Sequence, residues 1–325
     1  MKAAVLRAIG HAPRCDDFPE PVAGDSEVIV EVLAASLKPV DRQMASGEHY
    51  ASPRELPAVC GTDGVGRVSD GQRVFFGGAR APHGAMAERT VVRKAFTFLV
   101  PDGVSDEIAA ALPNPGVSAW LSLVHRAKLT PGDNVLVLGA TGITGTLAVR
   151  IAKILGAARV VAVGRNRQRL RNLHQVGADA IIPLDLPDDH LAAAFAQEAS
   201  SAGFQIVLDY VWGHRAEVLL GTMTRHEFAA ITSEIRYVQV GEGAGASISL
   251  PAAVLRSAPI TIMNSRSSAC RRAARRPAAG PGPWCKRRAA HRNAAHTARR
   301  HRSRVGAGSA RETVRRDTVG PSGSH

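Results

Sequence analysis

The residues with the clearest chemistry lie near the middle of the chain. Gly139-Ala140-Thr141-Gly142-Ile143-Thr144-Gly145 follows the apolar run Val135-Leu136-Val137-Leu138 and precedes Leu147, Ile151 and Ile154 at helical spacing. A glycine-rich turn between strand and helix lets the backbone approach a diphosphate closely. The helix's first turn then offers unpaired N–H groups and the positive end of its dipole to that charge. Thr141, Gly142, Ile143 and Thr144 are thus candidate contacts to a dinucleotide. Glycine spacing alone is weak, but a strand before, an amphipathic helix after and a second strand about 20 residues on supply the context. The bland alternative is a βα turn that binds nothing.

The end of that second strand selects between cofactors. NAD sites place Asp or Glu there to accept from the ribose 2′-hydroxyl. This chain has Val163-Gly164-Arg165-Asn166-Arg167, then Arg169, with no carboxylate in the run. Guanidinium groups suit a 2′-phosphate. Positive charge at the start of a helix opposes the helix dipole, which argues against mere surface decoration. The reading is NADPH, with Gly164, Arg165 and Arg169 as contacts and Arg167 as a further candidate.

These loops require a particular frame. After residue 130, buried strands alternate with helices: strands near 135–138, 159–163, 180–182, 204–208, 236–240 and 259–263, with helices between most of them. Strands apolar on both faces and alternating with helices indicate a doubly wound parallel sheet of Rossmann type. Residues 1–100 hold short alternating runs such as Glu27 to Leu33 and Arg73 to Phe76, broken by Gly, Pro and Asp, as in a compact antiparallel barrel. The expected divisions are 1–112 for the barrel, 113–263 for the cofactor-binding part, and 264–325 for a tail.

Several landmarks, in order, resemble one family. They are Lys38-Pro39-Val40-Asp41, Gly61-Thr62-Asp63-Gly64-Val65-Gly66, Leu112-Pro113-Asn114-Pro115-Gly116-Val117-Ser118-Ala119-Trp120, the loop Gly139 to Gly145, and Leu255-Arg256-Ser257-Ala258-Pro259. From Met1 to about Met263 the chain resembles the zinc-free, quinone oxidoreductase-like branch of the medium-chain dehydrogenase/reductase superfamily. The resemblance implies a GroES-like β-barrel domain joined to a Rossmann domain. It also implies a homodimer through the strand at Pro259–Met263. Zinc-dependent relatives carry Cys where this chain has Lys38, and a His-Glu pair where it has Thr62-Asp63. Neither Lys nor Thr is a usual zinc ligand, so no metal is expected. Without a metal, a quinone or α,β-unsaturated carbonyl is the natural acceptor, because the charge arriving with hydride delocalises onto its oxygen.

The family position of Tyr50 is the mouth of the cleft, where it can donate to the substrate oxygen or stack on a ring. The alternative is a loop aromatic that covers the barrel. Ser118 matches a Ser/Thr near the nicotinamide, with Asn114 beside it at the junction of the two parts. Tyr50 and Ser118 are the catalytic candidates. Val240 and Gly241 would pass the nicotinamide ring by the same analogy. Lys38 and Asp41 read as orienting each other or capping a helix. His49, His83 and His125 are scattered and read as packing or surface residues.

The formal charge of +13 is a property of the tail. Residues 264–325 carry 16 of the chain's 41 Lys and Arg but 2 of its 28 Asp and Glu, so the rest of the chain is within one charge of neutral. The high overall charge is thus no sign that the body binds nucleic acid. The tail has no Leu, Ile or Phe and three Val. It cannot bury an apolar face and reads as a disordered basic tail. Its Arg, Ala, Gly and Pro are what GC-rich coding DNA yields out of frame, which would leave an impaired enzyme that still binds cofactor. The rival is a basic arm that binds nucleic acid without sequence preference. No apolar run reaches the ~20 residues that span a bilayer. Cys15, Cys60, Cys270 and Cys285 show no paired spacing, so the expected compartment is the cytoplasm.

Overall fold

The computed structural model describes residues 1–200, 203–224 and 234–265. The tail from residue 266 onward lies outside the described residues, and with it the expectations of disorder and nucleic-acid contact.

The first hundred residues form two antiparallel sheets. One has the order β2-β1-β4, from β1 (Lys2–Leu6), β2 (Arg14–Asp17) and β4 (Ala58–Val59). The other has the order β7-β3-β5-β6-β8. Its strands are β3 (Glu27–Ala34), β5 (Asp63–Arg67), β6 (Arg73–Gly77), β7 (Arg89–Arg93) and β8 (Thr97–Leu99). Val30, Val74, Phe76, Ala85 and Val92 fill the space behind this sheet. Helix α1 (Pro39–Ser46) leaves β3 and starts with Pro39, whose fixed φ suits a first helical position. Helices α2 (Asp106–Ala111) and α3 (Pro113–Leu121) lead out of the barrel, with the Ser105 hydroxyl capping α2.

A six-stranded parallel sheet follows, in the order β11-β10-β9-β12-β13-β14. Its strands are β9 (Asn134–Leu138), β10 (Arg159–Gly164), β11 (Ala180–Pro183), β12 (Ile206–Asp209), β13 (Ile235–Gln239) and β14 (Ile260–Asn264). The helices are α4 (Ile143–Ile154), α5 (Arg167–Asn172), α6 (Asp188–Ser200), α7 (Gly213–Thr222) and α8 (Ala252–Ser257). Every residue of β9 is buried because both faces are covered. Val135 and Val137 meet Ala148, Val149 and Ala152 of α4 on one face. Leu136 and Leu138 meet Leu191 and Phe195 of α6 and Leu219 of α7 on the other. The period of two in the pleat accounts for the unbroken apolar run.

The register sets the site. Leu138 is level with Val163 on β10 and with Asp209 on β12, and Asp209 is level with Gln239 on β13. The next residues, Gly139, Gly164, Tyr210 and Val240, therefore share the carboxyl edge of the sheet. The chain leaves β9 toward β10 and β11, then crosses back to β12. This reversal opens a crevice above β9, the place where doubly wound sheets bind ligands.

Candidate active site

The glycine loop has the geometry that a diphosphate needs. Gly142 is extended at φ −78°, ψ 166° and precedes the first turn of α4. A Cβ placed on Gly142 would meet only the Gly139 carbonyl oxygen, at 3.6 Å, so the space above it is open to a ligand. Gly145 is different. A Cβ there would lie 2.3 Å from the Gly139 oxygen, so only glycine lets α4 pack this closely on the turn. The Thr146 hydroxyl ties the helix back by donating to the Ala140 carbonyl at 3.0 Å. Thr141 and Thr144 are half-buried and Ile143 is exposed, around the same opening. The residues present fit a dinucleotide.

The arginines beyond β10 are not equivalent. Asn166 caps α5, its side-chain oxygen accepting from the Arg169 backbone N–H at 2.9 Å. Arg167 forms a two-pronged pair with Asp185 at 3.0 and 3.1 Å, and the two groups hold each other in their charged forms. Arg165 is exposed and makes no ion pair among the described residues. Of the three guanidinium groups, Arg167 is thus the one already engaged. Asp185 lies beyond the end of β11, where no reading of the β10 sequence alone finds it.

On the barrel side a cavity of about 990 Å³ opens, lined among others by Tyr50, Cys60, Thr62, Asp63, Asn114 and Phe98. Tyr50 is 77% exposed, so it does not cover the barrel core. Its ring lies over His49, with centroids 4.1 Å apart and planes tilted by 33°. The Cys60 thiol is pushed up by burial first and by the Asp41 charge second, which keeps it from being a ready nucleophile. His83 sits edge-on to Phe18 at 5.5 Å, a packing contact.

The cavity floor is a charged cluster. Lys38, Asp41 and Asp63 are all buried. The Lys38 ammonium lies 2.9 Å from Asp63 Oδ1 and 3.3 Å from Asp41 Oδ2. It also donates to the Ser36 carbonyl oxygen at 2.7 Å and hydroxyl at 3.2 Å. Asp41 accepts from the backbone N–H of Lys38 at 2.8 Å and of Thr62 at 3.0 Å. Asn114 Nδ2 donates to Asp63 Oδ2 at 2.9 Å. The expectation that Lys38 and Asp41 orient each other is met, but sequence reasoning missed Asp63 as their third member and Asn114 as the fourth. The doublet Thr62-Asp63, flagged only for metal, was the available signal.

Asn114 and Ser118 are one turn apart on α3. Asn114 lines the cavity and half-buried Ser118 does not. Helix α3 packs on α4, the helix that follows the glycine loop, and so joins the cavity to the crevice. Val240 and Gly241 sit at the crevice edge, their N–H groups donating to the Asp209 carbonyl at 2.8 and 3.1 Å. Among the described residues, no three His, Cys, Asp or Glu side chains are grouped to hold a metal ion.

Fold and crevice together define a doubly wound α/β protein with an appended antiparallel barrel. The zinc-binding dehydrogenase family pattern matches residues 144–266. Quinone oxidoreductase-like protein 2 of Rattus norvegicus is 28% identical over 247 residues, which is 73% of this chain and 66% of the rat protein. An NADPH-dependent alkenal/one oxidoreductase of Arabidopsis thaliana is 29% identical over 192 residues, 52% of this chain and 50% of its own. The solved quinone oxidoreductase of Thermus thermophilus, studied also as its NADPH complex, is 29% identical with a TM-score of 0.66, and the match covers 84% of this chain and 82% of its own. The chain spans about half to two thirds of the length of the curated relatives it matches. It belongs to the medium-chain dehydrogenase/reductase superfamily, in the quinone oxidoreductase-like branch.

Proposed function

We propose that this chain is an NADPH-dependent oxidoreductase that passes hydride to a quinone or α,β-unsaturated carbonyl without zinc. One observation carries the reading: the cavity floor next to the α3 bridge is filled by an ammonium–carboxylate–amide cluster. Two of its positions, Lys38 and Thr62, are those that carry metal ligands in zinc-dependent relatives. An amine already ion-paired with two carboxylates is not a metal donor. An acceptor whose own conjugation spreads the arriving charge suits such a site.

Bound NADPH would supply two electrons and a hydrogen as hydride. Thr141, Gly142, Ile143 and Thr144 would hold its diphosphate, and Arg165 and Arg169 its 2′-phosphate. Val240 and Gly241 would pass its nicotinamide. Tyr50 and Ser118 remain the proposed substrate-side and nicotinamide-side groups. The barrel, 1–112, would contribute the substrate wall and 113–263 the cofactor crevice. The free thiols of Cys15 and Cys60 suit a reducing compartment, the cytoplasm. Among the described residues no helix is long and apolar enough to cross a membrane. Among the described residues β14 ends the strand order of the sheet, which suits a homodimer.

The test is absorbance at 340 nm with the purified full chain, NADPH or NADH, and either 1,4-benzoquinone or 3-buten-2-one. Acceptor-dependent loss of NADPH absorbance supports the reading. Cofactor binding without turnover of either acceptor refutes it.

A further inference from the structure

Besides the Thr62 hydroxyl, 3.5 Å from Asp63, the cavity floor has a polar group that is both held in place and open to a substrate. Lys38 is not that group. Its ammonium has three N–H bonds, and Ser36, Asp41 and Asp63 surround it with four acceptors at 2.7–3.3 Å. It lies inside the barrel and does not line the cavity. It pairs at 2.9 Å with Asp63, and a carboxylate only accepts hydrogen bonds. Asn114 must therefore turn its NH2 group, not its carbonyl, toward Asp63 Oδ2, as the 2.9 Å contact requires. One of the two N–H bonds is used there. The other remains on a nitrogen fixed by a charge pair, on a residue that is exposed and lines the cavity.

We propose that Asn114 is a catalytic residue that donates its second N–H to the substrate carbonyl oxygen, and that Asp63 and Lys38 are positioning residues that fix its amide. This rests on the reductase reading above. In that reaction the β-carbon of the enone gains a C–H bond from the hydride of the reduced nicotinamide. The π pair moves onto the carbonyl oxygen as an enolate, and a proton from water completes the saturated ketone. The cofactor leaves oxidised by two electrons. Charge grows on the oxygen, where a preoriented donor acts most strongly.

Lys38 has a second consequence. Without it the floor would present two carboxylates, Asp41 and Asp63, close to an oxygen that is gaining negative charge. The titratable groups gathered with Asp63 are Lys38, Asp41 and Cys60, and His49 and Tyr50 line the same cavity.

The experiment is steady-state kinetics of the full chain with 3-buten-2-one at saturating NADPH, alongside NADPH binding by fluorescence. Asn114→Ala is expected to lower kcat by about 100-fold and to leave NADPH affinity unchanged within a factor of about two. A kcat that falls less than about threefold while the wild type turns over overturns the inference and leaves the reductase reading intact. Lys38→Met is expected to lower kcat more in the wild-type background than in Asn114→Ala, because it acts through the Asn114 amide. A folded Lys38→Met protein that lowers kcat by the same factor in both backgrounds overturns the positioning role. If that variant does not fold, Asn114→Ala decides. A wild type that binds NADPH but reduces neither 3-buten-2-one nor 1,4-benzoquinone overturns both readings.

Discussion

Tyr237→Phe removes a single oxygen from the core of the parallel sheet, and its cost should depend on pH. Asp209 is fully buried at the end of β12. Its Oδ2 accepts from the Tyr237 hydroxyl at 2.6 Å, and its Oδ1 accepts from the backbone N–H of Val211 at 2.7 Å and of Trp212 at 2.9 Å. Trp212 has φ 54° and ψ −163°, a conformation nearly confined to glycine, so Asp209 holds a strained turn at the crevice edge. Burial raises the Asp209 carboxyl above its usual range, and the three donors pull it partly back, Tyr237 most. Tyr237 itself is pushed well above the usual tyrosine value by burial and by Asp209, so it remains a protonated donor.

The folded state therefore keeps the Asp209 proton to a higher pH than the unfolded state does. The stability this group contributes is full below the unfolded carboxyl pKa and is lost as pH rises through the raised folded value. Deleting the Tyr237 hydroxyl raises that value further and enlarges the loss. A hydrogen bond to a charged group is worth about 1.5–3 kcal/mol, and one to a neutral group about 0.5–1.5 kcal/mol. Tyr237→Phe should then cost about 2 kcal/mol at pH 8, or roughly 4–8 °C in Tm for a domain of this size. At pH 4 the cost should shrink to about 1 kcal/mol or less. Urea unfolding of wild type and variant at both pH values measures the difference. An equal cost at pH 4 and pH 8 would refute the buried-carboxylate argument, and so would a larger cost in acid.

Arg165→Asp should weaken NADPH binding by about 10- to 100-fold, the worth of a charged hydrogen bond, and bring NADH level with it or ahead. Fluorescence titration of both cofactors reads this, and an unchanged ratio removes Arg165 from the 2′-phosphate site. Arg167→Ala should change the ratio less, because its guanidinium is committed to Asp185. Elemental analysis should find no stoichiometric zinc, and a chelator should leave turnover unchanged; about one zinc per chain contradicts the donor-set argument. Ile262→Lys on β14 should convert a dimer into a monomer in light scattering, and a wild type that is monomeric at micromolar concentration counts against pairing through that edge.

The β/α rhythm was legible because burial on both faces leaves an unbroken apolar run, as in Val135 to Leu138, and because glycine and helical spacing bracket the cofactor loop. Strand positions from 159 to 264 fall within one or two residues of expectation for the same reason. Differences among the arginines were not legible. Arg165, Arg167 and Arg169 look alike in sequence, and only the pairing of Gly164 with Pro183 across β10 and β11 brings Asp185 to Arg167.

The floor of the cavity was the least legible part, for a physical reason. Asn114 and Asp63 are 51 positions apart, and no local periodicity records a contact between a helix and a strand at that distance. Lys38 precedes a proline at a helix start, where lysine is ordinarily a surface residue. Read for metal, Lys38 and Thr62 register only as missing ligands. Folded together, they belong to a closed charge cluster, because an ammonium inside the barrel compensates part of the charge of two carboxylates that burial would otherwise penalise heavily. Breaking such a pair commonly costs about 3–5 kcal/mol, more than most single contacts in the barrel supply. The ammonium that pairs with Asp63 thus bears on the Asn114 amide as well, since Asn114 Nδ2 donates to the other oxygen of the same carboxyl group.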